Sequence, residues 1–463
     1  MSSALGYFKN NRVIFLFEKN MTIQISDHFT LKKLFKFVLP TVIMMVVTSV
    51  YTVIDGLFVS NFVGKTPFAA INIIVPFVMI LGGTGFMIGT GGTALVTKVL
   101  GEGDDEKAKS YFTLLILFTV ALGLVLTAVG IAVTEPVARL LGANDDMIEP
   151  CVLYGRICVG FTAFFMLQGV FHSFLSAAGK PKIGLVVTLS AGATNAVFDA
   201  LFIVVFKWGV AGAAIATGLG QFMGGVVPLI YFARKNSSLL RFTKPKFELK
   251  AILQSCFNGS SEFLTNLASS IVSIVYNLQL MKYLGEDGVS AYGVIMYFQF
   301  VFLAIEIGYS IGTAPIIGFN YGAENHAELK NIFKKSIVIM GCCGVILSAL
   351  AQALAIPLSK LFVGYDKELY DLTVHAFRLF SFSFVFSGIN ILSSGFFTAL
   401  NNGAVSAILS FLRALAYQII FIFALPALMQ VDGIWLANVA TEVCAFITAV
   451  IFFIAYRKRY RYI

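Results

Sequence analysis

Apolar segments recur along this chain from one end to the other, parted only by short polar breaks. Each reaches the roughly 20 residues that a helix needs to cross a bilayer core. They fall near 37–61, 68–97, 110–134, 150–177, 183–206, 209–232, 255–282, 289–319, 336–362, 372–400, 405–429 and 433–456. Twelve spans leave no stretch for a soluble domain. Composition agrees: 12% of the 463 residues are charged and mean hydropathy is +0.87, whereas soluble domains carry about 25% charged residues.

The +9 net charge does not point to nucleic acid, because its distribution follows the loops. Both termini and the even-numbered connections hold 24 Lys and Arg and the odd-numbered ones hold 6, while Arg156, Arg378 and Arg413 lie within helices, which accounts for all 33. By the positive-inside rule both termini are cytoplasmic. The first 36 residues hold one apolar run, Val13–Phe17, with no small-residue cleavage site behind it, which is not the pattern of a cleaved signal peptide. Met21 is an alternative start, so residues 1–20 are either a dispensable tail or an upstream extension.

The second half repeats the first. A shift of 221 residues lays Ala70 on Ala291, Phe77 on Phe298, Gly91 on Gly312, Gly101 on Gly322 and Lys109 on Lys330. A shift of 222 lays Arg156 on Arg378 and Gln168 on Asn390, and one of 224 lays Gly179 on Gly403, Gly209 on Gly433 and Thr217 on Thr441. Six helices per copy is an even number, so both copies enter the membrane from the same side, as parallel repeats about an axis along the membrane normal. The expected fold is therefore all-α and polytopic, with twelve transmembrane helices in two pseudo-symmetric six-helix lobes. Its parts are a tail at 1–36, a first lobe at 37–232, a cytoplasmic linker at 233–254, a second lobe at 255–456 and a basic end at 457–463.

Several chemistries lack their residues. Six cysteines and four histidines are scattered, with no C-x-x-C pair and no metal-like spacing, so neither a metal nor another cofactor is expected. The glycines of the second helix, Gly82, Gly83, Gly85, Gly89, Gly91 and Gly92, suit close helix packing. A phosphate-cradling loop would need a preceding strand and a nucleotide domain. Nothing points to an enzyme.

Five carboxylates fall within the spans: Asp55, Asp199, Glu262, Glu306 and Glu442. An Asp at the bilayer centre costs about 3 kcal/mol, so such groups normally face a partner or a cavity. Helices one and five run outward, and Asp55 and Asp199 both lie roughly two turns before the outer end. Asn195 shares the face of Asp199 one turn earlier, and Thr217, about two turns into helix six, comes level with them. Two carboxylates, an amide and a hydroxyl make a set suited to H⁺ or Na⁺, and two close carboxylates do not both ionise cheaply. The second lobe carries a different ionisable set, because the equivalents of Asp55, Asn195 and Asp199 there are Tyr276, Ile419 and Phe423. Arg156 and Arg378 read as structural anchors near the outer face, and Arg413 as a side chain free to snorkel to the cytoplasmic face.

Short motifs recur along the chain at Leu39-Pro40, Asp55-Gly56, Gly101-Glu102-Gly103-Asp104 with Lys107-Ala108, Tyr154-Gly155-Arg156-Ile157, Ala178-Gly179-Lys180-Pro181 and Asn320-Tyr321-Gly322-Ala323. In their order and spacing the chain resembles the multidrug and toxic compound extrusion (MATE) transporters over roughly residues 31–460, and looks closest to their bacterial, staphylococcal-type branch. It implies a V-shaped pair of lobes that alternates between outward and inward openings and expels cationic or amphipathic drugs in exchange for H⁺ or Na⁺. It implies a first-lobe cation site at Asp55, Asn195, Asp199 and Thr217, with Gln168 and His172 as candidate members from helix four. Tyr276, Glu306 and Glu442 are then candidates for a substrate cavity. The expected protein is a monomer of the cell membrane whose partners are small-molecule drugs and the bilayer. The alternative from the same wider superfamily, a lipid-linked oligosaccharide flippase, would want a larger basic cavity than three intrahelical arginines provide.

Overall fold

The computed structural model describes residues 23–63 and 65–463; the Val13–Phe17 run and Met21 lie outside the described residues. Helix α1 is Leu31–Phe62, α2 Lys65–Gly101, α3 Asp105–Leu140 and α6 Gly209–Ala233. Helix α4 is a pair, Asp145–Gly160 and Thr162–Ala177, bent by 55°, and α10 is its counterpart, Lys367–Ser381 and Phe384–Ala399, bent by 46°. Helix α5 runs Pro181–Asp199 and ends in a π segment, Ala200–Val205, and α9 is His326–Val363.

The helical run Leu249–Gly322 spans 74 residues, about 110 Å if it were one straight helix, far more than a bilayer requires. It turns back at Gly285, where φ is +63°, a conformation that glycine adopts without a steric penalty. The reversal brings Tyr276 and Tyr292 into a stack with centroids 4.9 Å apart. Gln430 (φ +52°) divides the last run in the same way, and Gln418 meets Asn438 at 2.6 Å across it. This yields α7 (249–284), α8 (286–322), α11 (Gly403–Phe411, a π segment Leu412–Ala416, then 417–429) and α12 (431–460). The described residues thus form twelve spans.

The duplication is visible in the joints as well as in the residues. Backbone with positive φ occurs at Gly103 and Glu324, at Gly179 and Asn401, and at Lys207 and Gln430, pairs offset by 221, 222 and 223. Side-chain caps recur at Asp104 and Asn325 and at Asn144 and Asp366, each satisfying a backbone N–H that a helix start leaves open. These joints correct one alignment. Gly179 corresponds to Asn401, not Gly403, because α4 and α10 end at Ala177 and Ala399 and the next helices begin at Pro181 and Gly403. The step in offset from 222 to 223 falls inside α5 and α11.

The lobes meet along α1 and α2 of the first and α7 and α8 of the second. Contact is tightest in the half that carries the linker and the basic C-terminus, here called the basic end. At Gly91 an added Cβ would lie 1.9 Å from the Ser255 carbonyl oxygen, and at Gly259 1.8 Å from that of Met87, so the backbones of α2 and α7 touch. Gly85 and Gly89 instead pack on the α4 backbone at Met166 and Val170.

Candidate functional site

The first lobe gathers three polar side chains around Asp55. The Thr217 hydroxyl donates to Asp55 Oδ1 at 3.4 Å, and Asp199 and Asn195 face the same carboxylate. Asp199 is fully buried and Asn195 nearly so. Among the described residues, both carboxylate oxygens of Asp199 and the Asn195 Oδ1 lack a hydrogen-bond donor. Buried acceptors left in this state are costly unless something positive occupies them. The set therefore fits a proton or a small monovalent cation, and the π segment that follows Asp199 marks the helical irregularity often found beside functional groups.

Two tyrosines belong to this neighbourhood although sequence reasoning did not single them out. Tyr51 precedes Asp55 by one turn and reaches Gln168 of α4, while Tyr154 lies against Thr217 and close to Asp55. The i, i+4 spacing of Tyr51 and Asp55 was the available signal; Tyr154 stood out only as part of the Tyr154-Gly155-Arg156-Ile157 motif, and its place beside Thr217 depends on the bend in α4. Gln168 is thus joined to the site through Tyr51. His172 is not: its Nε2 lies 3.5 Å from the Thr188 hydroxyl, its ring rests on Phe86, and its Nδ1 has no partner.

In the second lobe Tyr276, Glu306 and Glu442 are all buried, and none opens to solvent in this conformation. Glu442 is occupied: Arg413 Nε donates to Oε1 at 2.9 Å and to Oε2 at 3.1 Å, and Asn390 Nδ2 donates to Oε2 at 2.6 Å. Arg413 therefore does not snorkel away; the π segment Leu412–Ala416 carries it, and the pair neutralises both charges inside the lobe. Glu306 accepts from Ser387 at 2.8 Å through Oε1 and leaves Oε2 unpartnered. Tyr276 donates to Gln418 at 3.4 Å. That bond sets Gln418, rather than Ile419, opposite Asn195, as an offset of 223 requires. Helix α7 begins at Leu249 and not at 255, which sets Glu262 about three and a half turns inside it. Arg156 pairs loosely with Glu135, at 3.9 Å.

The sequence pattern of the MatE family matches residues 40–201 and 263–424, one stretch in each lobe. The multidrug export protein MepA of Staphylococcus haemolyticus is 27% identical over 451 residues, covering 97% of this chain and 96% of that protein. MepA of Staphylococcus aureus is 26% identical over 439 residues, with 93% and 94% covered. Among solved structures, an outward-facing multidrug resistance MATE family transporter superposes with a TM-score of 0.87 at 22% identity, over 94% of this chain and 97% of that one. A MOP superfamily transporter from Pyrococcus furiosus gives 0.85 at 21% identity with the same coverage. At such identities the structural likeness speaks for the fold alone.

Proposed function

Because the chain belongs to the MatE family of multi-pass membrane transporters, we propose that it is a secondary active multidrug exporter, moving cationic or amphipathic organic compounds out of the cell. In this reading H⁺ or Na⁺ entering at Asp55 and Asp199 drives export by alternating access, the protein works as a monomer in the cell membrane, and both termini face the cytoplasm. The observation that carries it is the buried acidic pair in the first lobe, in which Asp199 keeps both oxygens unpartnered among the described residues, set in a molecule whose lobes pack most tightly at one end. Loading that pair with a cation removes the cost of buried charge, so the ion and the drug compete through the packing of the first lobe. The full-length likeness to MepA proteins supports the substrate class. Arg413 being taken up by Glu442 leaves little free positive charge inside the second lobe for a lipid-linked oligosaccharide's phosphates, which disfavours the flippase reading. In a strain stripped of its own exporters, cells expressing the chain should retain less ethidium than vector controls. Equal retention at verified expression would overturn the proposal.

A further inference from the structure

At the basic end, the segment leading into the first helix of each lobe crosses onto the third helix of the other lobe. Ahead of α1, the Phe29 N–H donates to Glu328 Oε1 of α9 at 2.9 Å. The Phe29 carbonyl accepts from Asn331 Nδ2 at 3.0 Å and from Lys335 Nζ at 2.5 Å, and His28 Nδ1 lies 2.6 Å from Glu328 Oε2. The Phe29 ring is fully buried, edge-on to Phe37. Ahead of α7, the Thr243 N–H donates to Thr113 Oγ1 of α3 at 3.1 Å, the Lys246 N–H donates to Ser110 Oγ at 2.9 Å, and Tyr111 donates to Glu248 at 2.6 Å. The offset of 221 carries Ser110 onto Asn331, so both crossings use the same patch of equivalent helices.

The two crossings differ in what else holds them. The linker is bound covalently to the first lobe through α6 in every conformation. The segment ahead of α1 has no such tether to the second lobe, and its hydrogen bonds to that lobe, among the described residues, are those with α9. We infer that residues 25–30 form an inter-lobe latch positioned by Glu328, which keeps the basic end closed and releases when that end opens. Glu328 suits the role because one nearly buried carboxylate accepts from Phe29 and Asn331 and faces His28, and because it sits in the first turn of α9, where the helix dipole favours a negative charge.

The latch has a role in transport only if the lobes rock, which rests on the reading above, but its test is a distance and needs no transported drug. In the full chain, with the six native cysteines replaced, spin labels at Glu106→Cys (α3) and Lys330→Cys (α9) would report the separation of the lobes in nanodiscs. Glu328→Ala, and independently Asn331→Ala with Lys335→Met, should raise the ratio of long to short distances about tenfold or more, the weight of one or two charge-assisted hydrogen bonds. Distributions matching the parent's in a folded variant would overturn the inference; if Glu328→Ala does not fold, the double variant decides. In a third variant, with distance labels held through bonds that a reductant does not cleave, oxidising the thiols of His28→Cys and Glu328→Cys to a disulfide should remove the long-distance population, and reducing that disulfide should restore it. A long-distance population that survives oxidation would also overturn it.

Discussion

Two buried acidic sites in one molecule are treated differently by their neighbours, and single substitutions should separate them. Asp199 is fully buried with both oxygens unpartnered, so replacing it by Asn removes a charge and adds a donor where donors are lacking. Asp199→Asn and Asp55→Asn should each lower gradient-driven drug exchange by about tenfold or more, the scale of typical coupling free energies, while equilibrium drug binding in detergent stays nearly unchanged. Parallel loss of binding and exchange would mean that the pair holds the drug rather than the ion. Glu442 has a different part, because Arg413 and Asn390 consume its carboxylate. Glu442→Gln leaves a buried guanidinium without its counter-charge, which costs on the order of 3–5 kcal/mol. Its thermal midpoint should fall clearly, and Arg413→Met combined with Glu442→Met should recover much of the loss. A single variant as stable as the parent would contradict the pairing. The first-lobe residues were legible because a carboxylate inside an apolar run stands out. The Arg413–Glu442 pair was not, since it depends on how α11 is wound around its π segment and on which face of α12 it meets.

Helix ends and helix contacts explain why the elements were easier to find than to join. Twelve apolar runs of bilayer length announce twelve helices, but the chain signals neither the bends at Phe161 and Phe382–Ser383 nor the reversal at Gln430, a residue whose positive φ comes from the turn it occupies and not from its type. The duplicated joints made the offset measurable to one residue and moved the counterpart of Gly179 to Asn401. At the α2–α7 contact the demand is steric. Gly259→Val would drive a side chain into the Met87 carbonyl, and overpacking of this kind typically costs about 1–3 kcal/mol. A lowered thermal midpoint is expected, with Gly160→Ala as the comparison that leaves it unchanged, since an added Cβ there meets nothing within 4 Å. Equal stability of the two variants would show that the backbones of α2 and α7 do not need to touch.

Across the whole molecule most of the basic residues, the tightest inter-lobe contacts and both crossing segments lie at one end. If that end is cytoplasmic, as the Lys and Arg excess predicts, reporters fused within 233–254 and after Ile463 should both give a cytoplasmic signal; an external signal from the linker would break the parallel arrangement of the lobes. In the proposed mechanism an ion entering through the first lobe, down its gradient, drives drug export. The decisive measurement is ethidium movement in proteoliposomes with a pH gradient and a Na⁺ gradient imposed separately. Uphill ethidium transport is expected under at least one of the two gradients, lost when that gradient is collapsed. Uphill transport under neither gradient, by protein shown to be folded and correctly inserted, would contradict it.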